Sequence, residues 1–235
     1  MPNSESNKNG WKDNQPECNH EHNHNEKKEE CCCKESMAKA LELLSDATIK
    51  PYLTSSLFAF VGEKYLVGTN GLLPAVAAGS DNLNGLNGTK FAGFNSCNCD
   101  TIKLTSSAIV SPITNAAITP ASLTVNKVSL CDIDAIAFDY ITPAGAIPFD
   151  TALTTLLDKY IKNCCVKCDD CCCNDGIFND IYNSFSPNLV TLTAGWLIVN
   201  NVKVLGKVGS VLVLSSTAGN VIYFTCLDSV GFMSY

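Results

Sequence analysis

Arginine is absent from this chain of 235 residues, whose 16 basic residues are all lysine. Arginine supplies most of the planar, bidentate contacts to phosphate and guanine that nucleic-acid-binding proteins use. The net charge of −7 would in addition repel a phosphate backbone. These two features predict that the protein has no nucleic-acid partner.

Histidine is scarce as well, and its three occurrences, His20, His22 and His24, lie close together near the N-terminus. The rest of the chain therefore cannot supply a Ser-His-Asp or Cys-His constellation. The glycine-rich stretch GTNGLLPAVAAGS at 68–80 lacks the GxGxxG and GxxxxGK patterns that bind phosphates. The sequence predicts that the protein is not an enzyme.

Long apolar runs are missing too, because no apolar stretch is long enough to cross a bilayer. The N-terminal sequence MPNSESNKNGWKDNQPEC lacks the apolar core of a secretory signal. We expect a protein made and kept on the cytoplasmic side, with no membrane partner. The 14 cysteines conflict with this expectation, because the cytosol keeps thiols reduced. They therefore either bind metal or become oxidised later.

The polar residues divide the chain into regions. Residues 1–35 carry eight acidic residues and five lysines, and they are predicted to form a flexible, disordered arm that contains cysteine and histidine. A helix followed by a β-rich region is expected over 36–150, and a helical segment with a cysteine cluster over 151–187. C-terminal strands over 188–235 are expected to pack with 52–147, in one compact domain or as two β-units.

Hydrophobic periodicity predicts two helices and a third, short one. The first begins at Ser36 as its cap and ends before Pro51, with a helical apolar stripe. That stripe consists of Met37, Ala40, Leu41 and Leu44. The second helix covers 151–163, and a third, short helix follows the cysteine cluster.

The remaining apolar segments are rich in β-branched residues and are separated by proline, glycine and asparagine. LFAFVGEKYLVG at 57–68 has two apolar runs around Gly62-Glu63-Lys64, which predicts a hairpin. We therefore expect a β-rich fold, mainly an antiparallel sandwich or barrel-like structure, with two or three short helices.

The densest cysteine cluster places six cysteines within residues 164–173. An iron–sulfur centre is disfavoured, because the bacterial pattern would continue with C-x₃-C-P and residue 175 is aspartate. A zinc site would need four thiolates and would leave surplus thiols. Neighbouring cysteines bond more naturally to different partners, so covalent staples within or between chains are the leading interpretation. The cluster is Cys164, Cys165, Cys168, Cys171, Cys172 and Cys173.

The other cysteines are interpreted by their surroundings. The triplet Cys31, Cys32 and Cys33 lies between the arm and the first helix, where an intermolecular bond, or a bond to the 164–173 cluster, can form. Cys131 and Cys226 each lie in an apolar segment and are predicted to be buried core residues. The remaining candidate cross-linking residues are Cys97 and Cys99, which alternate so that both would face one side of a strand. A loop edge with two free thiols explains this pair equally well.

A weak metal site is one interpretation of the arm, where CNHEHNHN brings together thiolate and imidazole ligands. It would capture zinc, copper or nickel adventitiously, and no cofactor is required for folding. The ligands would be Cys18, His20, His22 and His24. A solvated polar tail explains the same residues equally well.

The runs ECCCKE at 30–35 and NCCVKCDDCCCND at 163–175, together with the polar start and apolar β-rich segments, resemble the cysteine-rich outer spore-layer proteins of Bacillus and Clostridium. That resemblance implies a structural protein made in the mother cell, which self-assembles into coat or exosporium layers and is cross-linked by disulfides. It implies as partners other copies of the chain and other cysteine-rich spore-layer proteins. Oxidation after lysis of the mother cell would resolve the conflict over the compartment. A cytosolic metal-binding protein and a redox-sensing thiol protein remain alternatives.

Overall fold

This computed structural model describes residues 31–73, 81–94, 101–118, 125–163 and 189–234. Two α-helices occur in these ranges, α1 (Cys31–Leu43) and α2 (Phe149–Asn163). Short 3₁₀ turns cover Lys50–Leu53, Leu130–Asp132 and Leu227–Ser229. The strands are β1 (Phe58–Val61), β2 (Leu66–Val67), β3 (Phe91–Phe94), β4 (Thr101–Ser107), β5 (Ile109–Val110), β6 (Val125–Ser129), β7 (Ala135–Asp139), β8 (Val190–Ala194), β9 (Leu197–Val208), β10 (Val211–Ser216), β11 (Val221–Cys226) and β12 (Val230–Ser234).

Nine of these strands form one sheet in the order β12-β8-β9-β10-β11-β7-β1-β2-β5. Every pairing within it is antiparallel. The other three form a smaller sheet in the order β3-β4-β6. The prediction of a β-rich, antiparallel fold with a few short helices is confirmed, and the predicted hairpin is the β1–β2 pair. The finer prediction of a sandwich or a barrel stays a prediction.

The central strands bury both of their faces, so alternate side chains belong to two apolar cores. On β7, Phe138 enters the first core and Ala137 enters the second. The first, which we name the helix-side core, also contains the buried faces of α1 and α2 and residues of the small sheet. The second, the far-side core, joins the opposite face of the central strands to the buried residues of β8 and β9.

Strand β9 is twelve residues long and pairs with a different strand along each half. Its first half pairs with β8, and its second half pairs with β10. A register shift opposite β10 coincides with Gly206, where φ is 157° and a Cβ would lie 3.3 Å from Leu157 Cδ1 of α2. The glycine therefore allows helix α2 to pack directly on the strand.

The β8–β9 turn folds back over the far-side core. Trp196 Nε1 in that turn donates a hydrogen bond of 2.7 Å to the carbonyl oxygen of Glu63 in the β1–β2 turn. The Asn82 amide donates to the Trp196 carbonyl oxygen at 3.0 Å. In a flat sheet, four strand spacings, about 19 Å, would separate β9 from β1. The sheet is therefore strongly bent, which is why its two ends bury apolar residues against each other.

Helix α1 differs from the prediction at both ends. It begins at Cys31 and ends at Leu43, and Pro51 lies in the following 3₁₀ turn. Ser36 is not its cap but a fully buried residue of its second turn, whose Oγ accepts a 2.9 Å hydrogen bond from the Ser210 amide. The hydroxyl that was expected to cap the start of the helix therefore accepts a hydrogen bond from a backbone amide 174 positions away.

The predicted division into 1–35, 36–150, 151–187 and 188–235 stays a prediction. Two observations concern its boundaries and the packing of its last region. Helix α1 crosses the expected boundary at residue 35, and the predicted arm before residue 31 lies outside the described residues. Strands from the C-terminal region pair directly with β7, because Tyr223 of β11 is opposite Ala137. Within the described ranges, neither helix is long and apolar enough to cross a membrane.

Candidate functional site

The described body contains a disulfide between Cys33, in the first turn of α1, and Cys226, the last residue of β11. The two Cα atoms are 5.8 Å apart, within the range that a disulfide requires. Backbone hydrogen bonds fix the β11 end: the Cys226 amide donates to the Asp134 carbonyl at 2.8 Å, and the Leu227 amide to Ser210 at 2.9 Å. The disulfide fastens the start of α1 to the end of β11.

Cys226 was predicted to be a lone core cysteine, and this prediction is half right. The residue is 3% exposed, as expected for a core position, but its sulfur is bonded to Cys33. The two residues are 193 positions apart, so no local pattern in the sequence connects them. The disulfide partner is therefore a feature that sequence reasoning missed.

Cys131 was also predicted to be buried, and this prediction is wrong. It is an exposed, free thiol in the 3₁₀ turn at Leu130–Asp132. Ser129 caps that turn, because its Oγ accepts a 3.3 Å hydrogen bond from the Cys131 amide. The apolar strand starts only at Ala135, so the cysteine precedes the segment that was expected to bury it.

The cysteine triplet occupies the first turn of α1 rather than a tether between an arm and a helix. Cys31 and Cys32 begin the helix, and Cys33 bonds inward to Cys226. All other predicted site residues lie outside the described residues. These are the cross-linking candidates Cys97, Cys99, Cys164, Cys165, Cys168, Cys171, Cys172 and Cys173, and the metal ligands Cys18, His20, His22 and His24.

Among the residues that the structure describes, one metal-ligand group occurs that the sequence did not suggest. The sulfur atoms of Cys33 and Cys226 and a carboxylate oxygen of Asp228 lie within 4.8 Å of one another. Thiolate and carboxylate are zinc ligands. In the disulfide form both sulfurs are used, so the group can bind a metal only after reduction.

An acidic pocket of about 330 Å³ lies beside the free thiol of Cys131. Its acidic residues are Glu63, Asp132 and Asp134. Burial raises the pKa of Asp134, and the nearby Glu63 and Asp132 raise it further, whereas a hydrogen bond from Ser229 lowers it. Burial is also the main reason why the pKa of the pocket residue Tyr65 is raised.

Asp134 of the pocket lies against two turns that do not line it. Ser229 Oγ donates to Asp134 Oδ1 at 2.5 Å, and the Gly195 amide donates to the Ser229 carbonyl at 3.2 Å. At Gly195 φ is 55°, and a Cβ would lie 2.5 Å from Asp134 Oδ2. Ser229 thus joins Asp134 to the β8–β9 turn, and Asp134 leaves no room for a side chain at position 195. No imidazole is available in the described part of the chain to activate the neighbouring thiol.

Comparison with known proteins places the chain among proteins of the bacterial spore. The profile of the family described as "Spore coat protein CotA-like" matches residues 31–234. The spore coat protein CotA of Clostridioides difficile (strain 630) is 34% identical over 258 residues, which cover 87% of this chain and 84% of the relative. No solved structure gives a significant match. The resemblance inferred from the cysteine runs is therefore confirmed, and the chain belongs to the CotA-like family of spore coat proteins.

Proposed function

We propose that this chain is a structural component of the outer layers of a bacterial endospore, where copies self-assemble and are cross-linked by disulfides. Family membership supports the structural role in the spore coat and the deposition of the protein on the spore. It also agrees with the expectation that the protein is not an enzyme. Self-assembly, covalent cross-linking and a place in the coat or exosporium are the added steps of this proposal.

The observation that supports the cross-linking step is that the internal disulfide, Cys33–Cys226, uses none of the cysteines of the 164–173 cluster. Two apolar cores and one internal disulfide already hold the described body together. Under this proposal the six cysteines of the 164–173 cluster form bonds to other copies or to other cysteine-rich coat proteins. Synthesis in the reducing cytoplasm of the mother cell, followed by oxidation after lysis, supplies the change of redox environment.

The structure changes which residues test this proposal. Replacement of Cys31, Cys32 and Cys33 together would also remove the internal disulfide, so its effect on assembly would be mixed with an effect on stability. The 164–173 cluster lies apart from that bond in sequence. Its six cysteines can link one chain to several others, whereas the single thiol of Cys131 can only join chains in pairs.

Serine at all six cluster positions is expected to make an oxidised preparation soluble in hot detergent without thiol, while the wild type stays insoluble until thiol is added. Each interchain bond resists detergent covalently, so removal of the multivalent cluster dissolves the network. The measurement is the soluble fraction after boiling, compared with Cys131→Ser, which should behave as the wild type. Thiol-sensitive insolubility that persists in the six-serine variant would contradict the assignment to this cluster.

A second candidate function, metal binding, is favoured by the group formed by Cys33, Cys226 and Asp228. In the reduced protein these residues would hold zinc, and the histidines of the N-terminal segment would add weaker capture. Under this candidate, protein purified anaerobically with a reductant retains stoichiometric zinc, and Cys226→Ser loses it while Cys131→Ser does not. A reduced wild-type protein free of zinc after incubation with the metal would rule this candidate out.

A further inference from the structure

The end of the large sheet formed by β12 has an unusual charge distribution. Strand β12 lies at the end of the strand order and pairs with β8 alone among the described strands. Neither residues 189–202, which form β8 and the first half of β9, nor residues 229–234, which contain β12, include an acidic or basic side chain. In a chain with net charge −7 these two segments form a neutral three-stranded unit, which we name the outer ladder.

The two faces of the outer ladder differ. Val190, Leu192 and Ala194 of β8 are fully buried in the far-side core, and Met233 of β12 packs against the same core. Phe232 is adjacent to Met233, so it points to the opposite face, where it is 53% exposed. Exposed large apolar residues also lie at both ends of β8: Leu189 is 40% exposed and Trp196 is 41% exposed.

The backbone of β12 offers further hydrogen bonds at the sheet edge. The amide of Phe232 donates to Thr193 Oγ at 3.1 Å and therefore points towards β8. Because the polar groups of successive residues point to opposite sides of a strand, those of Met233 point to the open edge. A register shift at Gly231 interrupts the ladder, and regular pairing continues from Phe232 to Ser234. This short regular segment can receive a further strand.

Two other strand edges carry features that discourage such pairing. Strand β5 is covered by the following segment, because the Ile118 amide bonds to Ile109 at 2.8 Å and Ala117 bridges to Val110. Strand β6, at the edge of the small sheet, presents the exposed Lys127. Native proteins use covering loops and edge lysines to prevent contact between sheets, and β12 has neither among the described residues.

From these observations we propose that β12 is the surface through which two copies of this chain associate, by antiparallel pairing of their β12 strands about a two-fold axis. The proposal rests on the proposed function, since it identifies the non-covalent contact of the assembly. A second copy suits this edge because every copy carries the net charge of −7, and the uncharged side chains of the outer ladder reduce the repulsion between two copies at this place. Self-pairing also gives hydrogen-bond partners to the β12 backbone groups at the open edge of the sheet, and it covers Phe232 of each copy.

The test is the oligomeric state of the full chain in the presence of a thiol, measured by sedimentation, so that no disulfide joins the copies. The wild type is expected to be a dimer or a larger species. Phe232→Lys and Phe232→Asp are each expected to be monomers, since like charges meet across the axis, and an equimolar mixture of the two is expected to recover dimers. The matched control is Ile141→Lys, at a position that is 61% exposed outside the outer ladder, and it should sediment as the wild type does.

A wild-type chain that is monomeric in thiol would overturn this proposal, as would charged variants that remain dimers or a mixture that remains monomeric. Recovery of dimers in the mixture shows at once that both variants are folded. The proposed function is tested separately, by the resistance of the oxidised protein to hot detergent. Thiol-sensitive resistance would support disulfide cross-linking even if the reduced chain is a monomer. A chain that is a dimer in thiol but lacks this resistance when oxidised would support the β12 contact and contradict the disulfide cross-linking.

Discussion

Replacement of Cys33 by alanine is expected to lower the free energy of unfolding by roughly 5 kcal/mol, because the Cys33–Cys226 bond closes a very long loop. The sequence separation is 193 residues, and the loss of entropy that a cross-link imposes on the unfolded chain grows with the length of the loop. For a domain of this size the expected fall in melting temperature is roughly 10–20 °C. Thermal unfolding followed by circular dichroism measures it.

The control for this prediction is Cys131→Ala, which removes an exposed thiol with no partner and should leave the melting temperature unchanged. Adding a thiol to the wild type should reproduce most of the loss seen in Cys33→Ala, and should have little further effect on that variant. Equal melting temperatures of the wild type and Cys33→Ala under oxidising conditions would mean that the bond does not stabilise the fold.

Replacement of Phe138 by alanine is expected to cost about 3–5 kcal/mol, because it opens a cavity in the centre of the helix-side core. Phe138 is fully buried on β7, the strand that lies between β11 and β1. Its ring is 5.1 Å from that of Phe58 and 5.2 Å from that of Phe224, measured between centroids. The side chain therefore links aromatic contacts across three strands, and these contacts are lost with it.

Urea unfolding measures this cost, and Ile141→Ala is its control. Ile141 is 61% exposed and lies outside the proposed β12 contact, so its truncation should change the free energy of unfolding by less than about 0.5 kcal/mol. The two variants thus separate truncation in the core from truncation at the surface. A Phe138→Ala variant as stable as the wild type would contradict the arrangement of the helix-side core.

Hydrophobic periodicity predicted most of the regular structure. The helix expected at 151–163 is α2, which begins two residues earlier, and the two apolar runs around Gly62-Glu63-Lys64 are β1 and β2. The C-terminal region 188–235 was expected to form strands, and it contains β8 to β12. These elements are local: the side-chain pattern that defines them lies within one stretch of sequence.

Contacts between distant residues were not predictable in this way. The hydroxyl of Ser36 has the chemistry of a helix cap, yet it binds Ser210, which is 174 positions away. From the sequence, Cys226 was interpreted as a small apolar residue of a strand. In the structure, helix α1 places Cys33 beside it, and the two form a disulfide. The pairing of β9 with β8 along its first half and with β10 along its second half likewise joins separate segments, and alternation within the strand does not encode it.

The candidate site was predictable only at the level of the family. The cysteine runs identified the class of spore protein, because their density is a property of the sequence itself. They could not identify which cysteine is structural, since that depends on burial and on distance in the folded chain. Of the residues named as cross-linking candidates, Cys33 is bonded within the chain, and the role of the 164–173 cluster stays a prediction.

The most direct test of a disulfide-locked spore-layer protein is the behaviour of the wild-type chain purified without reductant. Samples boiled in detergent with and without thiol are compared, and the insoluble material is imaged by negative-stain electron microscopy. Ordered sheets, tubes or fibres that survive boiling and fall apart only with thiol are the expected result. A chain that is a soluble monomer in both samples would contradict self-assembly and covalent cross-linking of this protein acting alone.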